Sequence, residues 1–421
     1  MFRTIMVANR AEVAARVLKT CQKMNIRCVV IATDADKDLQ FLGDFDQVLE
    51  LGDRREYLNR EKILQLAKEN QVSAIHPGWG FLSEDSTFAS MAETSGIYFI
   101  GPTAGSMRMM ADKAKAREIM TNLGLSPIPG VDGALKDVNH AQEMAEVVGY
   151  PVLLKAVAGG GGRGMRRVFK AEDLKGAYQE ASAEALSAFG NGIMYMEKLI
   201  IGGRHIEFQV LCDGTEAWVF PERECSIQRR HQKLIEETPS VMVTPIQRKA
   251  LQKKIAEVCV AIGYRGAGTV EMLGDRDGNL YFMEMNTRLQ VEHTITEEVT
   301  GIDLAEQQIR IAANEKIDPQ TLFCGHSIQC RINAESVADD FRPTPGLITK
   351  LVWPEGEGIR IDTHLKEGDR VSPHYDSMIA KLIVSAPNRA EAIAKMLEVL
   401  AGTVVEGVPT TIALHQKVLA T

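Results

Sequence analysis

Glu271 and Glu284 sit in two short apolar runs on either side of Asp277-Gly278, in the stretch TVEMLGDRDGNLYFMEMN (269–286). An Asp-Gly pair between such runs signals a type I′ hairpin, and a two-residue loop makes Leu273 face Phe282 and Glu271 face Glu284. Alternation then puts Thr269, Glu271 and Leu273 on one face, with Phe282, Glu284 and Asn286 opposite them on the same face. Opposed carboxylates, with Cβ atoms roughly 5 Å apart, repel each other. Positive charge must therefore lie between them, and two carboxylates with the Asn286 amide oxygen suit Mg²⁺, structural calcium being the other use of the pair. Arg288, Gln290, Glu292 and His293 leave the second strand together and extend the same site.

A second constellation is the run Gly159-Gly160-Gly161-Gly162-Arg163-Gly164, which follows an apolar strand ending in Lys155. Glycines let backbone N–H groups wrap an anion, and a nearby lysine supplies charge, so the run reads as a phosphate-binding lid. It is not a P-loop, since no Gly-Lys-Ser/Thr follows. A flexible linker would carry serine and polar residues instead of an apolar strand on each side. Lys113 on a lysine-bearing helix and His205 opening a strand are each, taken alone, ordinary surface or edge residues.

These residues need a scaffold that brings them together. Residues 4–33 alternate strand, helix and strand, and SAIHPG and IYFIGP continue the alternation, so an open parallel sheet is expected to about residue 110. A small α/β segment runs from Ala134 to Lys198, then a strand-rich region broken by the helical TPIQRKALQKKIAEVCVAIG, and a final α+β portion contains SIQCRINAE and KLIVSA. The expected division is 1–112, 113–198, 199–312 and 325–421, consistent with a chain too long for one core. In SIQCRINAE, alternation puts Gln329, Arg331 and Asn333 on one face and Ile328, Cys330 and Ile332 on the other.

The net charge of −8 without a basic stripe argues against nucleic acid, the cluster Gln228-Arg229-Arg230-His231-Gln232-Lys233 being too short to grip a duplex. Seven cysteines without Cys-x-x-Cys spacing suit free thiols in a reducing cytoplasm. The N-terminus lacks a signal-peptide core, and no run of eighteen apolar residues suggests a membrane span.

The strings HPGWGFLSE, KAVAGGGGRGMR, CSIQRRHQKLIEE, GAGTVE, FMEMNTRLQVEH, CRINAE and YDSMIAKL together are specific, and over essentially the whole chain the sequence resembles biotin carboxylase, an ATP-grasp enzyme. The resemblance implies an α/β and α+β architecture: an N-terminal Rossmann-like pre-ATP-grasp domain, a mobile lid, an ATP-grasp body and a C-terminal biotin carboxylase domain. It implies an ATP-dependent ligase that carboxylates biotin with bicarbonate through carboxyphosphate. ATP contacts would come from Lys113, Lys155, Gly160, Gly161, Gly162, Glu197, Lys198, His205, Gln228 and His231. Magnesium, with manganese as the alternative, would be held by Glu271, Glu284 and Asn286. Bicarbonate would meet Lys233, Arg288, Gln290 and Val291, with Glu292 as general base and Arg331 steadying the biotin enolate. No Met-Lys-Met biotinylation motif or carboxyltransferase segment appears, so the biotin carrier and carboxyltransferase are expected on other polypeptides, and the family resemblance implies a homodimer.

Four features depart from the family pattern: Ala11 in place of glycine, Glu224 in place of Asp, Trp79 in place of Tyr on the biotin side, and an end about one helix early. Another ATP-grasp carboxylate ligase would share Lys113, Lys155, Glu271 and Glu284 but would have no use for the run from Arg288 to Glu292. A silent nucleotide-binding subunit is the rival of a different class, and the intact catalytic positions argue against it.

Overall fold

A computed structural model describes residues 1–131, 133–157, 164–319 and 322–421, with only the backbone of residues 113 and 114. The expected βαβ start is present as β1 (Thr4–Val7), α1 (Ala11–Lys23) and β2 (Arg27–Thr33). Together with β3 (Gln47–Gly52), β4 (Ala74–His76) and β5 (Tyr98–Phe99) they form a parallel sheet ordered β3-β2-β1-β4-β5. Its strands are apolar on both sides because both faces are covered. Met6, Val29, Ile31 and Ile75 pack into one core, while Ile5, Val7, Cys28 and Val30 pack into another shared with Ile328, Cys330, Ile332 and Leu382 from the C-terminal part. Ala11 has φ +54°, a left-handed conformation that explains a glycine preference at this position.

The next unit has its own core. Strands β6 (Val152–Ala156), β7 (Met165–Val168) and β8 (Met194–Lys198) make a sheet ordered β7-β6-β8, and Leu154, Val168, Leu174, Ala181 and Met196 close its apolar face.

The remaining scaffold is a large, mostly antiparallel sheet. Its strands are β9 (Arg204–Asp213), β10 (Ala217–Val219), β11 (Arg223–Arg229), β12 (Gln232–Thr238), β13 (Arg265–Gly274), β14 (Leu280–Asn286) and β15 (His326–Asn333), extended by strands Met378–Ala386 and Ile359–Thr363. The order β14-β13-β9-β11-β12-β15 runs unbroken from the central region into the C-terminal strands, because β12 pairs directly with β15. Helix Pro245–Ala261, opened by a Thr244/Gln247 capping box, packs on β9 and β10 and brings Ile255, Val258 and Cys259 into the core on one face of the sheet, while helix Lys113–Asn122 packs on β14. The opposite face carries the polar residues.

The hairpin of β13 and β14 corrects the expected register. Asp275 pairs with Asn279 through Asp275 N–H to Asn279 O at 3.0 Å, so the loop has three residues, not two, and ends in Gly278 at φ +85°. The Asp275 carboxylate stabilises this loop by accepting the N–H groups of Asp277 and Asn279, each at 2.9 Å. Consequently Leu273 faces Tyr281, and Phe282 faces Met272 inside the core. A register shift after Glu271 then leaves Met283 as an extra residue and restores the pairs Glu271–Glu284 and Thr269–Asn286. No helix among the described residues is long and apolar enough to cross a membrane.

Candidate active site

A cavity of about 1810 Å³ lies between the β6–β8 sheet and the polar face of the large sheet. At one end β6 and β8 place Lys155 beside Glu197, and Arg117 donates to the same carboxylate at 3.2 Å. Lys198 also lines the cavity, but its ammonium donates to the carbonyls of Gly149 and Tyr150 at 2.8 and 2.9 Å, and its N–H to Pro129 O at 2.7 Å. Two of its three ammonium donors are thus used within the protein. Helix Lys113–Asn122 begins at Lys113, whose side chain lies outside the described residues, as do Gly160, Gly161 and Gly162.

Strand register produces the central feature. Glu207 on β9 is directly opposite Glu271 on β13, which is opposite Glu284 on β14, a row of three carboxylates across three strands. Cations from other strands compensate it. Arg223 on β11, fully buried, donates to Glu207 at 2.7 Å. Lys233 on β12 reaches Glu207 at 2.6 Å, Glu271 at 3.0 Å and Glu292 at 2.6 Å. The His205 ring nitrogen lies 3.5 Å from Glu207 and 3.4 Å from Glu271. Burial alone would lower the pKa of His205, but these two carboxylates push it up to about 9. Glu271 is held well below the carboxylate range: burial opposes its ionisation, and Lys233 and His205 outweigh burial. The expected divalent cation is therefore not the sole source of positive charge facing Glu271.

For Mg²⁺ the donor set fits: Glu271, Glu284 and Asn286 all line the cavity and offer oxygen only. Asn286 Oδ1 also accepts from Arg288 at 3.1 Å. Gln228 lies next to His205, its amide nitrogen 3.2 Å from the ring, and His231 occupies the adjoining turn at φ +66° with its side chain at the cavity.

At the other end, Glu292 immediately precedes helix His293–Thr300 and is almost fully buried. Its carboxylate sits between Lys233 and Arg331, the latter donating at 2.8 Å. Burial raises its pKa, but Lys233, Arg331 and Arg223 lower it further than burial raises it, leaving it ionised. Arg331 projects from the polar face of β15, as alternation predicts, and its second partner is Glu236 at 2.6 Å. Gln290 donates to Glu271 at 2.9 Å and accepts from Arg223 at 3.2 Å. The Val291 carbonyl accepts from fully buried Lys381 at 3.1 Å, and Lys381 forms an ion pair with Glu12 of α1 at 2.8 Å. Trp79 lines the cavity with its ring 5.2 Å from the Lys381 ammonium.

Three family models cover nearly all of the chain: the biotin carboxylase N-terminal domain at residues 1–107, the carbamoyl-phosphate synthase L chain ATP-binding domain at 112–320, and the biotin carboxylase C-terminal domain at 329–421. A biotin carboxylase of Nostoc sp. is 44% identical over 425 residues, spanning 99% of this chain and 95% of its own. The chain belongs to the biotin carboxylase family. The fold agrees with solved members. A Campylobacter jejuni biotin carboxylase–β,γ-ATP complex superposes with a TM-score of 0.96 at 44% identity, covering 100% of this chain and 96% of that one. The biotin carboxylase domain dimer of Hydrogenobacter thermophilus 2-oxoglutarate carboxylase, in complex with MgADP, ADP and bicarbonate, gives 0.95 at 45%, covering 100% and 94%.

Several residues of this biotin carboxylase site escape a reading of its sequence. Glu207 could have been found, because it shares a strand face with His205 in RHIEFQV. Glu236, fully buried against Arg331 and Gln329, carries no local signal. Arg223 reads as an ordinary strand-edge charge until β9, β11 and β13 are assembled. Of the family departures, Glu224 uses its longer carboxylate to reach both Arg204 and Ser240 at 2.5 Å.

Proposed function

We propose the following division of labour for the ATP-dependent carboxylation of biotin by bicarbonate that this family member performs. The observation that carries it is the chain Lys233–Glu292–Arg331, a carboxylate between two cations in the same cavity as Lys155 and the carboxylate row. The segments 1–112, 113–198, 199–312 and 325–421 each contribute: the first borders the cleft through Trp79, the second covers ATP, the third holds its phosphates and bicarbonate, and the fourth supplies Arg331.

ATP lies between Lys155 and the segment of Glu197 on one side and His205, Gln228 and His231 on the other, with Lys113 and the glycine run at its phosphates. Glu271, Glu284 and Asn286 would hold Mg²⁺, or Mn²⁺ in its place, which when bound neutralises phosphate charge. Arg288, Lys233, Gln290 and the Val291 backbone hold bicarbonate. As bicarbonate moves in beside Glu292, it competes for the Lys233 ammonium, and the carboxylate gains basicity as that pairing loosens. Glu292 takes the bicarbonate proton, and the oxygen attacks the γ-phosphorus to form carboxyphosphate with loss of ADP. Carboxyphosphate divides into CO₂ and phosphate, phosphate removes the ureido proton of biotin, and N1 attacks CO₂. Arg331 carries the developing enolate oxygen's charge without giving up a proton.

Biotin arrives on a separate carrier protein, carboxybiotin goes to a separate carboxyltransferase subunit, and the working form is a homodimer in the cytoplasm. Unpaired cysteines, six of the seven buried, support the reducing compartment. Two relatives are named as single subunits of larger carboxylases, one of 2-oxoglutarate carboxylase and one of pyruvate carboxylase, which supports partners on other polypeptides. The test is ADP release and carboxybiotin formation measured with bicarbonate and biotin added or omitted in turn. ATP hydrolysis that does not depend on bicarbonate, or bicarbonate-dependent hydrolysis that never yields carboxybiotin, refutes the reading.

A further inference from the structure

Arg288, assigned above to bicarbonate, is gripped from the N-terminal sheet. Glu84 lies in the loop after β4, in the string HPGWGFLSE, and its carboxylate crosses to the segment leaving β14. One oxygen accepts the Thr287 N–H at 2.9 Å and the Thr287 hydroxyl at 3.3 Å; the other accepts Arg288 Nε–H at 2.8 Å. The same carboxylate thus fixes both the backbone just before the arginine and its head group. The rest of the guanidinium is held by Asn286 Oδ1 at 3.1 Å and, weakly, by Leu289 O at 3.4 Å.

A guanidinium has five N–H groups, and these three contacts engage Nε and one hydrogen on each terminal nitrogen. One N–H on each terminal nitrogen remains, the number needed by an anion that presents two oxygens. We propose that Glu84 is a positioning residue for bicarbonate: it fixes the plane of Arg288 so that the remaining pair of donors faces the anion. An unanchored arginine would hold the same charge but not the same plane, and bicarbonate, with few atoms to grip, depends on the plane. The N-terminal sheet thereby takes part in the first chemical step without touching a reacting atom. Arg288 is 22% exposed and Glu84 41% exposed, so the pair lies at the edge of the cleft, where substitution leaves the core intact.

This inference rests on Arg288 being the bicarbonate clamp, and the experiment separates the two claims. Steady-state ADP release is measured in the intact protein against bicarbonate and against ATP for Glu84→Gln, Arg288→Ala and the double variant, with thermal melts alongside. Glutamine keeps the size but offers one accepting oxygen, so it cannot hold both Thr287 and Arg288. The expected result for Glu84→Gln is a bicarbonate KM raised about tenfold, with the ATP KM and the melting temperature close to wild type and kcat changed by less than about threefold. In the Arg288→Ala background the same substitution should add nothing, because the group it positions is gone. A wild-type bicarbonate KM in Arg288→Ala overturns the clamp assignment and this inference with it. A raised KM in Arg288→Ala but not in Glu84→Gln overturns the positioning role alone, as does an equal effect of Glu84→Gln in both backgrounds. A fall in melting temperature with the bicarbonate KM unchanged makes Glu84 a tie between segments and also overturns it.

Discussion

Removing Arg331 should have two consequences that a second substitution can pull apart. In the structure the guanidinium serves Glu236 at 2.6 Å and Glu292 at 2.8 Å, and Glu236 is fully buried. Arg331→Ala leaves Glu292 with Lys233, but leaves Glu236 with only the Gln329 amide at 3.0 Å. Stripping one partner from a buried pair costs about 3–5 kcal/mol. At about 1 °C per kcal/mol for a chain of 421 residues, the melting temperature should fall by about 3–5 °C. The loss should depend on pH. Burial already raises the Glu236 pKa above its ordinary value of 4.5 with Arg331 opposing, and losing Arg331 raises it further. A carboxyl with a higher pKa in the folded state binds its proton more tightly there, so the deficit is small below about pH 4.5 and grows as pH rises. Adding Glu236→Gln removes the stranded charge and should recover most of the stability. It should not recover carboxylation, since the enolate still lacks its cation. The assay is ADP release and carboxybiotin formation in parallel, with melts at two pH values, for both single variants and the double. Slow bicarbonate-dependent ATP hydrolysis without biotin should persist in Arg331→Ala while carboxybiotin formation falls steeply. Carboxybiotin formation restored along with stability in the double variant would refute the enolate role and reduce Arg331 to a structural ion-pair partner.

Glu292→Gln should bind an ATP analogue normally yet lose bicarbonate-dependent ADP formation by about 10²-fold or more, because the amide keeps the shape and lacks the basicity; near-wild-type turnover would move the base elsewhere, Lys233 being next. Glu284→Gln should raise the Mg²⁺ concentration needed for half-maximal activity without lowering metal-free stability, since it removes a ligand and relieves part of the carboxylate row; an unchanged Mg²⁺ titration would remove Glu284 from the metal site. Glu237 is held below its ordinary value, burial opposing and His326 and Arg389 prevailing, so its contribution is present above pH 4.5 and lost as pH falls through its folded pKa. With Arg389 45% exposed, Glu237→Gln should cost only about 1 kcal/mol at pH 7 and flatten the acid limb of the stability curve; an acid limb as steep as wild type would show that other carboxylates set it.

What the sequence determined by itself is whatever local chemistry dictates. The βαβ start follows from apolar periodicity, and the face of Arg331 follows from strict alternation in a strand without interruption up to Ile332. The pairing of Glu271 with Glu284 was also legible, but through two departures that cancel: the loop has one residue more than Asp-Gly implies, and the bulge at Met283 restores the register that the loop displaces. Leu273 and Phe282 lie between the two departures, so their expected pairing is displaced. The long matching strings carried the family, because they specify many side chains at once. Tertiary structure alone decided which charges compensate which. Glu236 meets Arg331 ninety-five residues on and Glu84 meets Arg288 two hundred and four residues on, and even Arg223 reaches Glu207 only once their strands pair, so a strand glutamate's burial is settled when its cation arrives from another strand. A carboxylate's energy depends on the charges within a few ångströms, and those distances are set by sheet order and register, which the chain acquires only on folding.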